Sequence, residues 1–152
     1  MMPIIIQIIA GVVGTIGFAI LFRLKPLHWL YAGVVGLFAC IAYCVLNVVT
    51  QDPFISNLIG AFVCAVFSDV FARIAKAPAT VFILPGIIAL VPGRTLYYAM
   101  SNLLNDKYVE AGQFLLTTIT VAVAIGGGLI AASVLRLLIS KLIENIKQKV
   151  KK

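Results

Sequence analysis

The sequence predicts an all-α membrane protein: a bundle of about five transmembrane helices, the fourth broken at Pro-Gly pairs, with the N-terminus outside and the C-terminus cytoplasmic. Three observations carry this reading. Of the 152 residues, 62% are hydrophobic and 11% are charged. Soluble domains hold about 25% charged residues, so too few polar groups are present here to clothe a water-soluble globule. Apolar runs of bilayer length, about 20 residues each, follow one another along the chain and leave most of the charge to short breaks. Basic residues concentrate in alternate breaks. The composition excludes a soluble enzyme, a disordered tail and a secreted disulfide scaffold. No stretch is left over for a soluble domain, so residues 1–152 read as a single integral membrane domain.

The first span covers residues 3–22, where only Gln7 is strongly polar. Gly11, Gly14 and Gly17 punctuate it, a spacing that lets a neighbouring backbone approach closely. No Lys or Arg precedes the run and it is longer than a signal h-region, so a cleavable leader is not expected. It stops at Arg23-Leu24-Lys25-Pro26. The second span, residues 27–49, opens with Trp29 and Tyr31, which fit an interfacial aromatic belt, and His28 lies at the same level. Cys40 and Cys44 stand one turn apart, and Cys64 lies in the next span. None has a His or carboxylate beside it in sequence, so they read as packing residues rather than metal ligands. No metal and no cofactor is expected. After Thr50-Gln51-Asp52-Pro53 comes the third span, residues 54–72, which carries Asp69 and ends before Arg73-Ile74-Ala75-Lys76.

The fourth span, residues 79–104, contains Pro85-Gly86 and Pro92-Gly93, seven residues apart. Proline removes a donor and clashes with the preceding turn, so one or two breaks are predicted, with the freed backbone groups facing protein or water. Asn105 to Glu110 form the next polar break. The last span, residues 112–138, holds Gly126-Gly127-Gly128, which reads as a close helix contact or a hinge. It runs on into a basic tail, residues 139–152, with Leu138, Leu142 and Ile146 on one face.

Charge sets the expected orientation. The first break holds Arg23 and Lys25, the third Arg73 and Lys76, and the tail Lys141, Lys147, Lys149, Lys151 and Lys152. The second break holds Asp52, and the fourth Asp106, Lys107 and Glu110. Placing the first, third and tail segments in the cytoplasm satisfies the positive-inside rule throughout. The net charge of +7 is then a feature facing anionic lipid, not nucleic acid.

Ionisable groups within spans are functional candidates by default. Asp69 lies one turn before Arg73 and is expected either to pair with it locally or to face a water-filled cavity as a proton or substrate relay. Arg94 follows the second Pro-Gly directly. A helix restarting there offers unpaired N–H groups and a guanidinium to a carboxylate, as discontinuous transporter helices do; the alternative is that Arg94 snorkels to an interface. Tyr97 and Tyr98 supply either hydroxyls or belt aromatics. The candidate substrate-binding set is Arg94, Gly93, Tyr97, Pro85, Gly86 and Pro92, with Asp69 for proton coupling. A single His and no paired acid and base in sequence argue against catalysis.

Pro85-Gly86-Ile87-Ile88-Ala89-Leu90-Val91-Pro92-Gly93, preceded by Lys76-Ala77-Pro78 and followed by Tyr97, resembles the threonine/serine exporter family, in its small membrane-only form. The resemblance extends to length, span number and the basic third break. Ala89 stands where the family has proline, which leaves the break after Pro85 less rigid. The resemblance implies a subunit of a secondary transporter in the cell membrane that exports threonine, serine or related carboxylates on an ion gradient. It implies a partner too, a larger subunit of the same family with a soluble N-terminal part and its own spans. Related split systems resemble dicarboxylate exporters. A subunit that carries no substrate and only completes its partner's helix bundle is the alternative, and a homo-oligomer is a further assembly open to such a chain.

Overall fold

The computed structural model describes residues 2–150, with side chains described from Ile4 to Leu142. The described chain is helical throughout: α1 (Met2–Leu21), α2 (Pro26–Thr50), α3 (Pro53–Ala75), α4 (Thr80–Ile88), α5 (Gly93–Leu104) and α6 (Tyr108–Val150). Helices α1, α2, α3 and α6 are each long and apolar enough to cross a membrane, and α4 with α5 makes a fifth such span, bent by 48°.

The polar breaks act as helix stops through one repeated device. Arg23, Gln51, Lys76 and Asp106 all adopt left-handed backbone, with φ of 54°, 53°, 50° and 61°. At three of these sites the next N–H reaches back to close the helix end: Leu24 to the Ala19 carbonyl, Ala77 to Ala72 and Lys107 to Asn102. Proline then starts α2 and α3, where its missing N–H costs nothing. The Asp52 carboxylate accepts from the Phe54 N–H at 2.8 Å and caps α3. The Trp29 indole donates to the Leu24 carbonyl at 2.8 Å, so this belt aromatic also pins the first turn.

Helices α2 and α3 form the centre, with α1 on α2, α6 on α3, and α4 wedged among α1, α2 and α3. Helix α5 leans on α6. The buried core is made of small residues, among them Ala32, Ala39, Ala61, Cys64 and Ala65, together with Val35 and Phe82. Between apolar helices in lipid, close backbone approach replaces the hydrophobic drive available in water. Two glycines show how tight that approach is. A Cβ on Gly86 would meet the Cys64 sulfur and Val35. One on Gly128 would meet the Leu58 carbonyl and the Ala61 Cβ. Within the glycine triplet of a continuous α6, Gly128 is thus the close contact, whereas Gly126 faces open space. The same role falls to Gly11, whose added Cβ would meet the Cys40 sulfur, whereas Gly14 and Gly17 face open space. The three cysteines are free and buried.

The fourth span breaks once. Helix α4 runs through Pro85-Gly86 to Ile88. Proline there removes only the bond that would run back to the Val81 carbonyl, and Ala89 continues in right-handed helical backbone (φ −63°, ψ −21°). The chain turns at Pro92, whose φ of −76° and ψ of 52°, with the Gly93 N–H bonded to the Val91 carbonyl at 2.8 Å, form an inverse γ-turn.

Candidate substrate site

The break opens a cavity of about 280 Å³. Its polar lining comes from five helices: Gln7 of α1, Tyr43 of α2, Asn57 of α3, Arg94 and Thr95 of α5, and Thr117 of α6. All but Arg94 and Thr95 lie in the half of their helix nearer the Asp52 and Asp106 side of the bundle. Pro92 and residues 89–91 complete the wall.

The backbone gives this cavity its character. No side chain caps α5, and the N–H groups of Arg94 and Thr95 have no backbone acceptor. An uncapped helix start carries a partial positive charge and free donors, and the Arg94 side chain adds a full positive charge beside it. Among the described residues Arg94 has no ion-pair partner; its guanidinium lies 5.7 Å from the centre of the Tyr98 ring, a cation–π distance. The Thr95 hydroxyl donates to the Pro92 carbonyl at 3.0 Å and lies 2.8 Å from the Thr118 hydroxyl, tying the turn to α6. Asn57 is buried, and its amide N–H₂ donates to the Pro53 carbonyl at 2.7 Å. Its amide oxygen has no protein partner among the described residues.

The sequence-derived candidates divide. Arg94 and Pro92 line the cavity. Gly93 starts α5 with open space around it. Pro85 and Gly86 are buried in the core, packed where α4 meets α2 and α3. Tyr97 is 68% exposed and does not line the cavity; Tyr98, not Tyr97, is the ring beside Arg94. Gln7 and Asn57 were legible as polar groups inside spans yet were not nominated. Tyr43, Thr95 and Thr117 carry no such signal.

Asp69 lies about 18 Å along α3 from Asn57, twelve residues at 1.5 Å each. The expected local pair with Arg73 does not form. Arg136 of α6 donates to the Asp69 carboxylate at 2.8 Å instead. The close α3–α6 contact at Gly128 brings α6 near enough for a guanidinium two turns further on to reach across. Arg136 is itself an ionisable residue inside a predicted span, so the rule that nominated Asp69 applied equally to it. Between this pair and the cavity lie buried residues of α3 (Gly60, Ala61, Cys64, Ala65 and Ser68), with Phe82, Pro85 and Gly86 of α4 packed in the same core.

A family model described as threonine/serine exporter, ThrE, matches residues 7–135. No curated protein and no solved structure matches the chain. The matched stretch runs from Gln7 past Thr117, so it contains every polar residue of the cavity. With four or five helices able to cross a bilayer, the match identifies a multi-pass membrane protein of an exporter family. The chain belongs to the threonine/serine exporter family.

Proposed function

We propose that the chain is the small membrane subunit of a two-subunit secondary transporter that exports threonine, serine or related small carboxylates across the cytoplasmic membrane. The observation that carries this reading is the cavity at the helix break, where an unpartnered Arg94 and two free N–H groups converge. A carboxylate fits that set, since a charge-assisted bond from a guanidinium is directional and bidentate. Asn57, Gln7, Tyr43 and Thr117 then face the remainder of a small polar substrate.

Alternating access is proposed around residues 89–92. Helix α4 is held among α1, α2 and α3, whereas α5 leans on α6. A change in the 48° bend moves α5 against α4 and opens the cavity toward one membrane face or the other. Asp69 is the candidate for coupling to protons. The N-terminus is assigned outside and the C-terminus inside, from the basic breaks at Arg23, Lys25, Arg73 and Lys76. The larger partner subunit, or a second copy of this chain, is proposed to complete the assembly.

Arg94→Ala should abolish export while the protein still reaches the membrane in normal amount. Export at the wild-type rate would remove Arg94 from the site. Exchange in vesicles holding this chain alone, the partner alone and both decides whether the chain carries substrate or only completes a bundle.

A further inference from the structure

We infer that the Asp69–Arg136 pair is a second recognition site, one that takes zwitterionic α-amino acids by accepting their carboxylate on Arg136 and their ammonium on Asp69. It rests on the export reading above and adds to it a point where amino acids are told apart from dicarboxylates.

The pair is accessible. The Asp69 side chain is 19% exposed and that of Arg136 47%, so neither group is sealed in the core. Two cavities of about 420 and 400 Å³ meet at it, each lined by Asp69, Arg73 and Arg136. One is an apolar groove along the α3–α6 seam; the other opens beside Lys76 and the turn that leads into α4. Both are of the size that small-molecule sites occupy. They lie at the basic end of the bundle, where an exported substrate enters in the proposed orientation. Among the described residues Arg73 and Lys76 have no ion-pair partner, so this mouth carries three cations and one carboxylate. Such a field draws in anionic groups.

The chemistry of exchange then selects. A zwitterion inserted between Asp69 and Arg136 replaces one ion pair with two, and neither charge of the original pair is left unmatched. That matters because an uncompensated charge in a low-dielectric setting is strongly unfavourable. A dicarboxylate offers Arg136 one carboxylate and can place the other by Arg73, which lines the same cavities, but it brings no cation to Asp69, whose like charge repels it. The cavity at Arg94 has no carboxylate in its lining, so it holds carboxylates without reading an ammonium. Among the described residues, the discriminating group on the proposed path is Asp69.

The test compares efflux of labelled L-serine and of a four-carbon dicarboxylate from cells lacking the gene for this chain, after wild type or a variant is restored. Asp69→Asn should cut serine export at least tenfold more than dicarboxylate export, chiefly through the KM for serine. A loss shared by both substrates reads out the coupling role proposed above, and the ratio between them reads out this site. Asp69→Glu should keep the preference for serine. Arg136→Gln should lower both. Equal loss of both substrates in Asp69→Asn at normal membrane level would leave that ratio unmoved and overturn the inference, as would unchanged serine export, or a wild type that moves the dicarboxylate and no amino acid. Should Asp69→Asn fail to accumulate, alkylation of Val70→Cys, which lines the same groove, provides the decision: slowing by L-serine and not by the dicarboxylate supports the site, and no slowing overturns it. An Arg94→Ala variant with normal export would sink the cavity at the break while leaving these selectivity readings intact.

Discussion

Two guanidinium groups occupy opposite halves of this bundle, and they are held differently. Arg136 has its carboxylate partner supplied by the protein, 2.8 Å away on α3. Arg94 has only a tyrosine ring at 5.7 Å and stands at an uncapped helix start. A cation that the fold leaves unmatched, beside free N–H donors, is a standing demand for an external anion. A cation already matched admits a ligand only by exchange, and the ligand must then satisfy the displaced carboxylate as well. Between the two lies a layer of small side chains closed tightly enough that one added carbon at Gly86 or Gly128 meets neighbouring atoms. The lesson is that the same residue type binds broadly or selectively according to whether its counter-charge is already built in.

Four substitutions in the unmatched half and the layer break or sharpen that contrast. The largest effect belongs to Arg94→Ala. Each hydrogen bond to a charged group contributes about 1.5–3 kcal/mol, so losing a bidentate pair lowers export by roughly a hundredfold or more. Rates of labelled-substrate efflux, normalised to protein in the membrane, check this, and a loss under threefold would place the carboxylate elsewhere. Gly128→Leu comes next and acts on the layer. Overpacking costs about 1–3 kcal/mol, and here the obstacle is the Leu58 backbone carbonyl, which cannot swing aside. A several-fold fall in folded protein recovered from membranes is expected; normal recovery would show that α3 and α6 are free to part. Thr95→Val removes the hydroxyl that ties Pro92 to Thr118. One neutral hydrogen bond is worth about 0.5–1.5 kcal/mol, so export should fall a few-fold, and an unchanged rate would mean that the turn holds itself. Tyr97→Phe should leave export within about twofold, because its side chain is not in the cavity wall; a large loss would bring Tyr97 back as a binding group.

Much of the architecture was readable from residue order. The stops at Arg23, Gln51, Lys76 and Asp106 fall in the polar breaks, because a left-handed residue with a polar side chain is tolerated where water meets the helix end. The bent fourth span was readable from its Pro-Gly pairs, but which pair breaks it was not. Both pairs have the same local chemistry. The first is held straight by burial of Pro85 and by Gly86 packed on Cys64 and Val35, and the second is released into a cavity.

The site was legible in part. Arg94 and Pro92 follow from the rule that an interrupted membrane helix exposes backbone and charge. Gln7 and Asn57 obey the rule for polar groups in spans, yet nothing in their spacing says that they meet. Residues 7, 43, 57, 94 and 117 come together only because α1, α2, α3, α5 and α6 converge at one level.

Composition, span length and the alternation of basic breaks were enough by themselves to determine a multi-pass helical protein with a broken fourth span, because lipid forbids unpaired backbone and uncompensated charge along any single helix. Only the tertiary structure decided which guanidinium is paired. Asp69 has Arg73 one turn away on its own helix, and local spacing favours that partner. The close α3–α6 approach at Gly128 brings Arg136 to it instead, and the same packing leaves Arg94 facing a cavity. Helix-to-helix distances choose counter-ions, and no one-dimensional pattern encodes them.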